Sequence, residues 1–199
     1  MLSNPDGNRE KKERLIMSEQ YNYGLLQSYG EDIYISRNVE IRRPGLISIG
    51  NHVAIDTGFY CTTRVDIMDY VHIAPYVTVI GGAEGYLRMG HFSGMAAGCR
   101  IICGSEEYLG EGLIGPTIPI KYRDNLKIAP VIFEMSVTIA TDVVVMPGVT
   151  LAEGSVVGAL SLVTKDTEPW TIYRGIPAKP IKNRPKEKMI QAAKEMGYL

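Results

Sequence analysis

Nowhere does the chain carry a run of about 18 apolar residues, the length a helix needs to cross a bilayer, and its first residues are polar and charged. Neither a membrane span nor a secretory signal is expected, which places the protein in the cytoplasm. An excess of one charge is also missing: 21 Lys and Arg stand against 22 Asp and Glu, for a formal net charge of -1. A nucleic-acid or membrane-surface partner is therefore not expected. Histidine is scarce, and any chemistry that needs an imidazole has only His52, His72 and His91 to draw on. At 199 residues the chain is expected to form one domain.

What the sequence does have is a period. Isoleucine, valine or an equivalent recurs every six residues at Ile49, Ile55, Cys61, Ile67, Ile73 and Val79, and again at Phe133, Ile139, Val145, Leu151, Val157 and Val163. A second apolar set, Val53, Phe59, Val65, Val71 and Val77 and then Val137, Val143 and Val149, follows four residues behind. Gly, Asn, Asp and Pro crowd the positions between. Neither an amphipathic helix nor a hairpin produces this pattern, whereas a parallel β-helix wound from very short strands does. Three six-residue units make one coil, so residues about 18 apart stack at the ~4.8 Å strand spacing. Ile49, Ile67 and Met89 are thus expected on one face. Cys61 and Cys99 fall at inward positions and read as small buried hydrophobes. Cys99 and Cys103 lack companions for a metal site.

Interruptions of a solenoid map to loops on its binding side. Two extra residues appear around Pro44-Gly45 and four around Gly81 to Gly85. The largest break spans residues 107–132, with the stretch from Pro116 to Pro119 expected to keep it extended. Residues 1–32 read as a polar lead of unassigned function, with Met17 an alternative natural start. The repeat domain is expected over 33–184. Residues 185–199 read as an α-helix, with Pro185 in its first turn and Met189, Ala193 and Met196 on one stripe, bracing the last coil.

The stretch from Val145 to Asp166, VMPGVTLAEGSVVGALSLVTKD, followed by YRGIPAK from Tyr173 to Lys179, resembles the C-terminal signature of the hexapeptide-repeat acyltransferases. The similarity in repeat pattern covers about residues 35–184. It implies a β fold, a left-handed parallel β-helix solenoid with a long inserted loop and a C-terminal α-helix. It also implies a homotrimer, acetyl-CoA bound between adjacent subunits as co-substrate, and transfer to a hydroxyl or amine of a sugar or nucleotide-linked sugar, often in surface polysaccharide synthesis. No metal is expected. The chain departs from the pattern where sugar O-acetyltransferases place a histidine base before the large loop, since that place reads Gly104-Ser105-Glu106.

Acetyl transfer needs a group to take the acceptor's proton and donors for the oxyanion. His72, in Val71-His72-Ile73-Ala74-Pro75, resembles a histidine that contacts the thioester region in amino-sugar N-acetyltransferases of the family, which carry their base nine residues earlier, at Thr63 in this chain. His72 is the candidate base or thioester contact, and Glu106 the runner-up base. His52 and His91 occupy turn positions and are expected to be structural. Lys165 resembles the family's lysine near the nucleotide phosphate, Arg174 and Lys179 can meet phosphates, and small residues at Ala140, Gly158 and Ala159 would let the pantetheine arm lie against backbone. For the acceptor, Glu84 at the bulge and Tyr108, Tyr122 and Arg123 in the insertion are candidates, with Lys121 and Lys127 as further cations. Two other readings stay open: a zinc enzyme of the γ-carbonic-anhydrase kind using the three histidines, and a solenoid that binds without turnover.

Overall fold

A computed structural model describes residues 20–199, and the alternative start at Met17 lies outside them. The chain winds into a three-sided prism of parallel strands. Face one stacks Ser28–Tyr29, Ile47–Ile49, Arg64–Ile67, Tyr86–Met89, Val131–Phe133 and Thr150–Leu151. Face two stacks Tyr34–Ile35, Ala54–Ile55, His72–Ile73, Gly94–Met95, Thr138–Ile139, Val156–Val157 and Thr171–Arg174, and Lys179–Asn183 returns antiparallel on its last strand. Face three stacks Glu40–Ile41, Tyr60–Cys61, Thr78–Ile80, Arg100–Ile102, Val144–Val145 and Leu162–Val163. Ile49, Ile67 and Met89 are direct neighbours on face one, as the period requires. Among the described residues no helix is long and apolar enough to cross a membrane.

Strands this short cannot hold together alone. Their stability comes from the shared interior, in which Ile55, Cys61, Ile73, Val79, Phe133, Ile139, Val145, Leu151 and Val157 are essentially inaccessible to water. The second set, Val53 through Val149, is buried with them. Corners are turned by residues in the left-handed region: His52, Tyr70, Phe92 and Ser136 have φ of 55°, 58°, 58° and 61° between faces one and two. Non-glycine residues adopt this conformation at a cost of roughly 1–2 kcal/mol. Stacking offsets it, since His52 lies 4.4 Å from Tyr70 and Tyr70 lies 5.3 Å from Phe92, ring centre to ring centre. At Gly154 a side chain is excluded altogether, because a Cβ would sit 2.4 Å from the Trp170 ring of the next coil.

The same corner is stitched by side chains that accept from the backbone of the coil before. Asn51 Oδ1 accepts from Glu31 N–H at 2.9 Å, Asp69 Oδ1 from Asn51 N–H at 2.7 Å, and His91 Nδ1 from Asp69 N–H at 3.1 Å. His91 takes a place that suits Asn or Asp because its ring nitrogen accepts in the same way. The C-terminal helix, Glu187–Glu195, lies along this corner, whereas the sequence pattern suggests a brace on the last coil. Its stripe of Met189, Ala193 and Met196 borders Phe92 and Ser136, and Tyr198 behind it donates its hydroxyl to Asp69 Oδ2 at 2.8 Å. The reach of the chain end back to the middle coils is set by this polar and aromatic contact.

Three boundaries differ from expectation. Coiling is already under way at Ser28–Tyr29, which pairs with Ser48 and Ile49, so the solenoid begins ahead of residue 33. The insertion is a β-hairpin at its base, with Gly104–Glu106 antiparallel to Leu126–Ile128, and the solenoid resumes at Val131 within the span expected to be loop. The Pro116 to Pro119 stretch is a turn, not extended: Ile118 N–H donates to Gly115 C=O at 3.3 Å, and the Arg123 guanidinium donates to the carbonyls of Pro116 and Ile118.

Two outcomes test this account. Ile139→Asp buries a carboxyl that no neighbour can pair, a cost of about 4 kcal/mol or more, and melting should fall by roughly 10 °C. A variant melting within a few degrees of the parent would contradict the interior placement. At Asp69, burial pushes the carboxyl up, but hydrogen bonds from Asn51 and Tyr198 and the nearby His91 outweigh it and hold the carboxyl below the usual range. A depressed carboxyl stabilises the fold above its unfolded value of about 3.9, and that stabilisation is lost as pH falls through the lower folded value. Asp69→Asn should therefore narrow the stability gap to the parent as pH drops below about 4; a gap that does not change with pH would remove Asp69 from the acid response.

Candidate active site

His72 stands on the outer side of face two, between Ala54 and Gly94 of the adjacent coils. Both neighbours are small, so the imidazole projects unobstructed and its side chain is 60% exposed. Its Nε2 lies 2.9 Å from Asp56 Oδ2. A carboxylate at that distance can accept a hydrogen bond from Nε2–H and so orient the ring. Sequence reading missed Asp56, although it sits two residues beyond Ala54, the residue stacked directly under His72.

On the same face, from the His72 coil onward, the residue following each strand is small. Ala74, Ala96, Ala140 and Gly158 donate their backbone N–H groups to the interior residues of the next coil, at 2.8 to 2.9 Å. Ala140 and Gly158 thus belong to a row that starts beside His72, and Ala159 turns the corner just after it. Beyond the end of this row are three cations, Arg174 and Lys179 on the closing pair of face two and Lys165 just after the last strand of face three. Arg174 is directly opposite Lys179 across the antiparallel pair, and Lys179 shares with Lys165 a pocket of about 360 Å³ that Asp166, Glu168, Tyr173 and Pro180 also line. Like charges placed opposite one another repel, and among the described residues none of the three is held in an ion pair. These cations can meet phosphate groups, with Asp166 engaged by the Thr150 N–H, from which it accepts at 2.7 Å, and Glu168 the other carboxylate of the pocket.

Glu106 is elsewhere. It lines a second pocket of about 380 Å³, in front of face three and under the inserted hairpin, with Tyr60, Thr62, Ile80, Leu126 and Ile128. Neighbouring faces of a prism point their outer side chains apart, so His72 and Glu106 of one chain do not share a cavity. The acceptor candidates are also dispersed. Glu84 is exposed at the Gly82 to Gly85 turn, and Tyr108 and Tyr122 are 66% and 54% exposed, outside the Glu106 pocket. The Lys121 ammonium sits 4.6 Å over the Tyr122 ring. Arg123 fastens the loop to itself.

The remaining residues weighed for chemistry have structural work. His52 Nδ1 meets Asp32 Oδ2 at 2.9 Å, and His91 belongs to the corner ladder. Each histidine therefore has its own carboxylate, and among the described residues no group of three or more His, Cys, Asp or Glu converges as a metal set. Thr63 is fully buried and faces no acceptor. Burial pushes the Cys61 and Cys99 thiols up to about 11 and Cys103 up to about 12, which keeps all three as neutral thiols.

Comparison with known proteins adds the following. No family model matches the chain. It is 36% identical over 166 residues to the dTDP-4-amino-4,6-dideoxy-D-glucose acyltransferase of Escherichia coli, which takes in 81% of this chain and 84% of that protein. Among solved structures it is similar to AntD, an N-acyltransferase from Bacillus cereus. A variant of AntD in complex with dTDP-4-amino-4,6-dideoxyglucose and coenzyme A matches with a TM-score of 0.84 and 33% identity, over 90% of this chain and 97% of that chain. AntD in complex with dTDP and 3-hydroxybutyryl-CoA matches at the same TM-score of 0.84 and 33% identity.

Proposed function

The chain belongs to the hexapeptide-repeat acyltransferases, and from that premise we propose that it transfers an acyl group from acyl-CoA to the amine of a dTDP-linked 4-amino-4,6-dideoxyhexose. The similarity to AntD in its aminosugar complex, maintained over 90% of this chain, carries the reading. An amine acceptor also agrees with the absence of a histidine before the loop, because an amine is a far better nucleophile than a hydroxyl and needs less help to attack.

Coenzyme A would lie along face two, its phosphates on Lys165, Arg174 and Lys179 and its pantetheine arm against the small row through Ala140 and Gly158. The thioester would then arrive beside His72. The acceptor would enter the Glu106 pocket. Attack by nitrogen on the thioester carbon forms the C–N bond and leaves a positively charged nitrogen whose N–H is strongly acidified. A carboxylate can take that proton, and Glu106 is assigned this role. Collapse of the tetrahedral intermediate breaks the C–S bond, and the thiolate of coenzyme A leaves more readily than the amine because a thiol is acidic near pH 8.5 (approximately).

Because His72 and Glu106 face apart in one chain, a site using both forms where face two of one chain meets face three of another. We therefore assign a homotrimer. The exposed apolar side chains of the insertion, Leu109, Leu113 and Ile120 at 72%, 60% and 82%, supply surface for that contact. Both co-substrates are anionic and do not cross a bilayer unaided, which suits an enzyme working in the cytoplasm.

Thiol release from acetyl-CoA and 3-hydroxybutyryl-CoA, measured with dTDP-4-amino-4,6-dideoxyglucose, tests the reaction; no release with either donor would overturn it. Glu106→Gln should lower the single-turnover rate by about a hundredfold while acyl-CoA still binds. His72→Ala should weaken the donor's productive binding more than the acceptor's. If Glu106→Gln retains the parental rate, the proton goes elsewhere. In sedimentation at micromolar concentration the protein should run as about three chains per particle, and an active monomer would remove the shared site.

A further inference from the structure

The pocket beneath the hairpin has a composition that says which part of the acceptor it takes. It is lined by one carboxylate, Glu106, and by the apolar surfaces of Ile80, Pro116, Leu126 and Ile128, with Tyr60, Thr62 and Ser105 completing it. No lysine or arginine lines it. A diphosphate placed here would lose its hydration against carbon, with a negative charge beside it. A sugar carrying a neutral amine, the form that attacks, meets the opposite conditions, since it brings no phosphate charge and its N–H can donate to the carboxylate.

The hairpin register explains how the apolar wall and the carboxylate come to face the same space. Glu106 is directly opposite Leu126, and Gly104 opposite Ile128. Residues opposite one another, and those two apart along a strand, share a side of the ribbon. Leu126, Ile128 and Glu106 are therefore on one side, and Lys127 on the other. Leu126 and Ile128 remain 51% and 36% exposed, so the apolar wall is open and not packed into the core. Across from them Ile80 projects from face three, and Gly104 keeps the approach narrow, since a Cβ there would come within 3.1 Å of Gly81 Cα.

Resting on the acceptor reading given above, we propose that this pocket receives the hexose ring itself, with the amine toward Glu106 and the C6 carbon against Ile80, Leu126 and Ile128, and that this wall selects a sugar lacking a hydroxyl at C6. The diphosphate and base remain outside the pocket. A 6-hydroxyl would be desolvated against three aliphatic side chains, while the nearby hydroxyls are engaged, Thr62 accepting from the Gly81 and Gly82 N–H groups and Ser105 donating to the Glu106 carbonyl. Apolar pockets reject an added hydroxyl only moderately, so the preference should be about 10- to 100-fold in kcat/KM.

The experiment compares dTDP-4-amino-4,6-dideoxyglucose with its 6-hydroxy counterpart, dTDP-4-amino-4-deoxyglucose, at saturating acyl-CoA. The parent protein should favour the dideoxy sugar by that factor. Ile128→Thr and Leu126→Thr each place a hydroxyl in the wall at an exposed position where folding is not at risk, and each should shrink the ratio by roughly fivefold or more. Equal use of both sugars by the parent overturns the pocket assignment. So does a ratio that neither variant changes while both still turn over the dideoxy sugar. Failure of the parent to acylate either sugar overturns the acceptor reading, and this inference with it.

Discussion

Everything in this molecule depends on the hydrogen-bonded step from one coil to the next. Each strand donates and accepts along the prism axis, as from Ala54 N–H to Val71 C=O at 3.0 Å and from Ala140 N–H to Val157 C=O at 2.8 Å. A strand of two residues has no other way to satisfy its backbone. The step fixes the spacing of coils, and through it the spacing of every side chain on every face. Rows therefore arise without being selected individually: the small row beside His72, the left-handed corner residues and the accepting side chains of Asn51, Asp69 and His91 all follow from one register.

That constraint explains which parts of the structure the sequence reveals. An interior side chain must be apolar in every coil, so Ile49, Ile55, Cys61 and their successors announce themselves by period alone. Outer side chains face no such requirement. Asp56 supports His72 only because coils stack, and no pattern within either strand reports it. The hairpin of Gly104–Glu106 with Leu126–Ile128 escaped notice for a related reason: it lies outside the prism, and its alternation serves a pocket and not a core. The first coil was missed because Ser28 and Tyr29 are exposed and carry no interior signature. The turn at Pro116 to Pro119 depends on Arg123 gathering carbonyls from residues before it, which local propensity does not contain.

The faces also divide the chemistry by charge. Arg174 and Lys179 stand at the end of face two, where the backbone has run out of coils to pair with and returns on itself, and Lys165 follows the last strand of face three. Glu106 stands in front of face three in a pocket without cations. One region offers cations to an anion and the other a carboxylate to an amine beside carbon. A single chain separates the two by the angle of the prism, and the homotrimer proposed above is what would bring them together.

The insertion can diverge without disturbing the rest because of where it departs. It leaves after Cys103 and the chain rejoins at Val131, which stacks on Leu87 as the next regular strand of face one. Backbone pairing of the coils is intact on both sides of the break, so the excursion between costs the solenoid little. Substitutions at Leu126 or Ile128 then act on the pocket wall, whereas substitutions at Phe133 or Ile139 act on every coil that depends on the interior. In this architecture the hairpin pocket can be altered separately from face two, whose residues are fixed in the rows that hold the prism together.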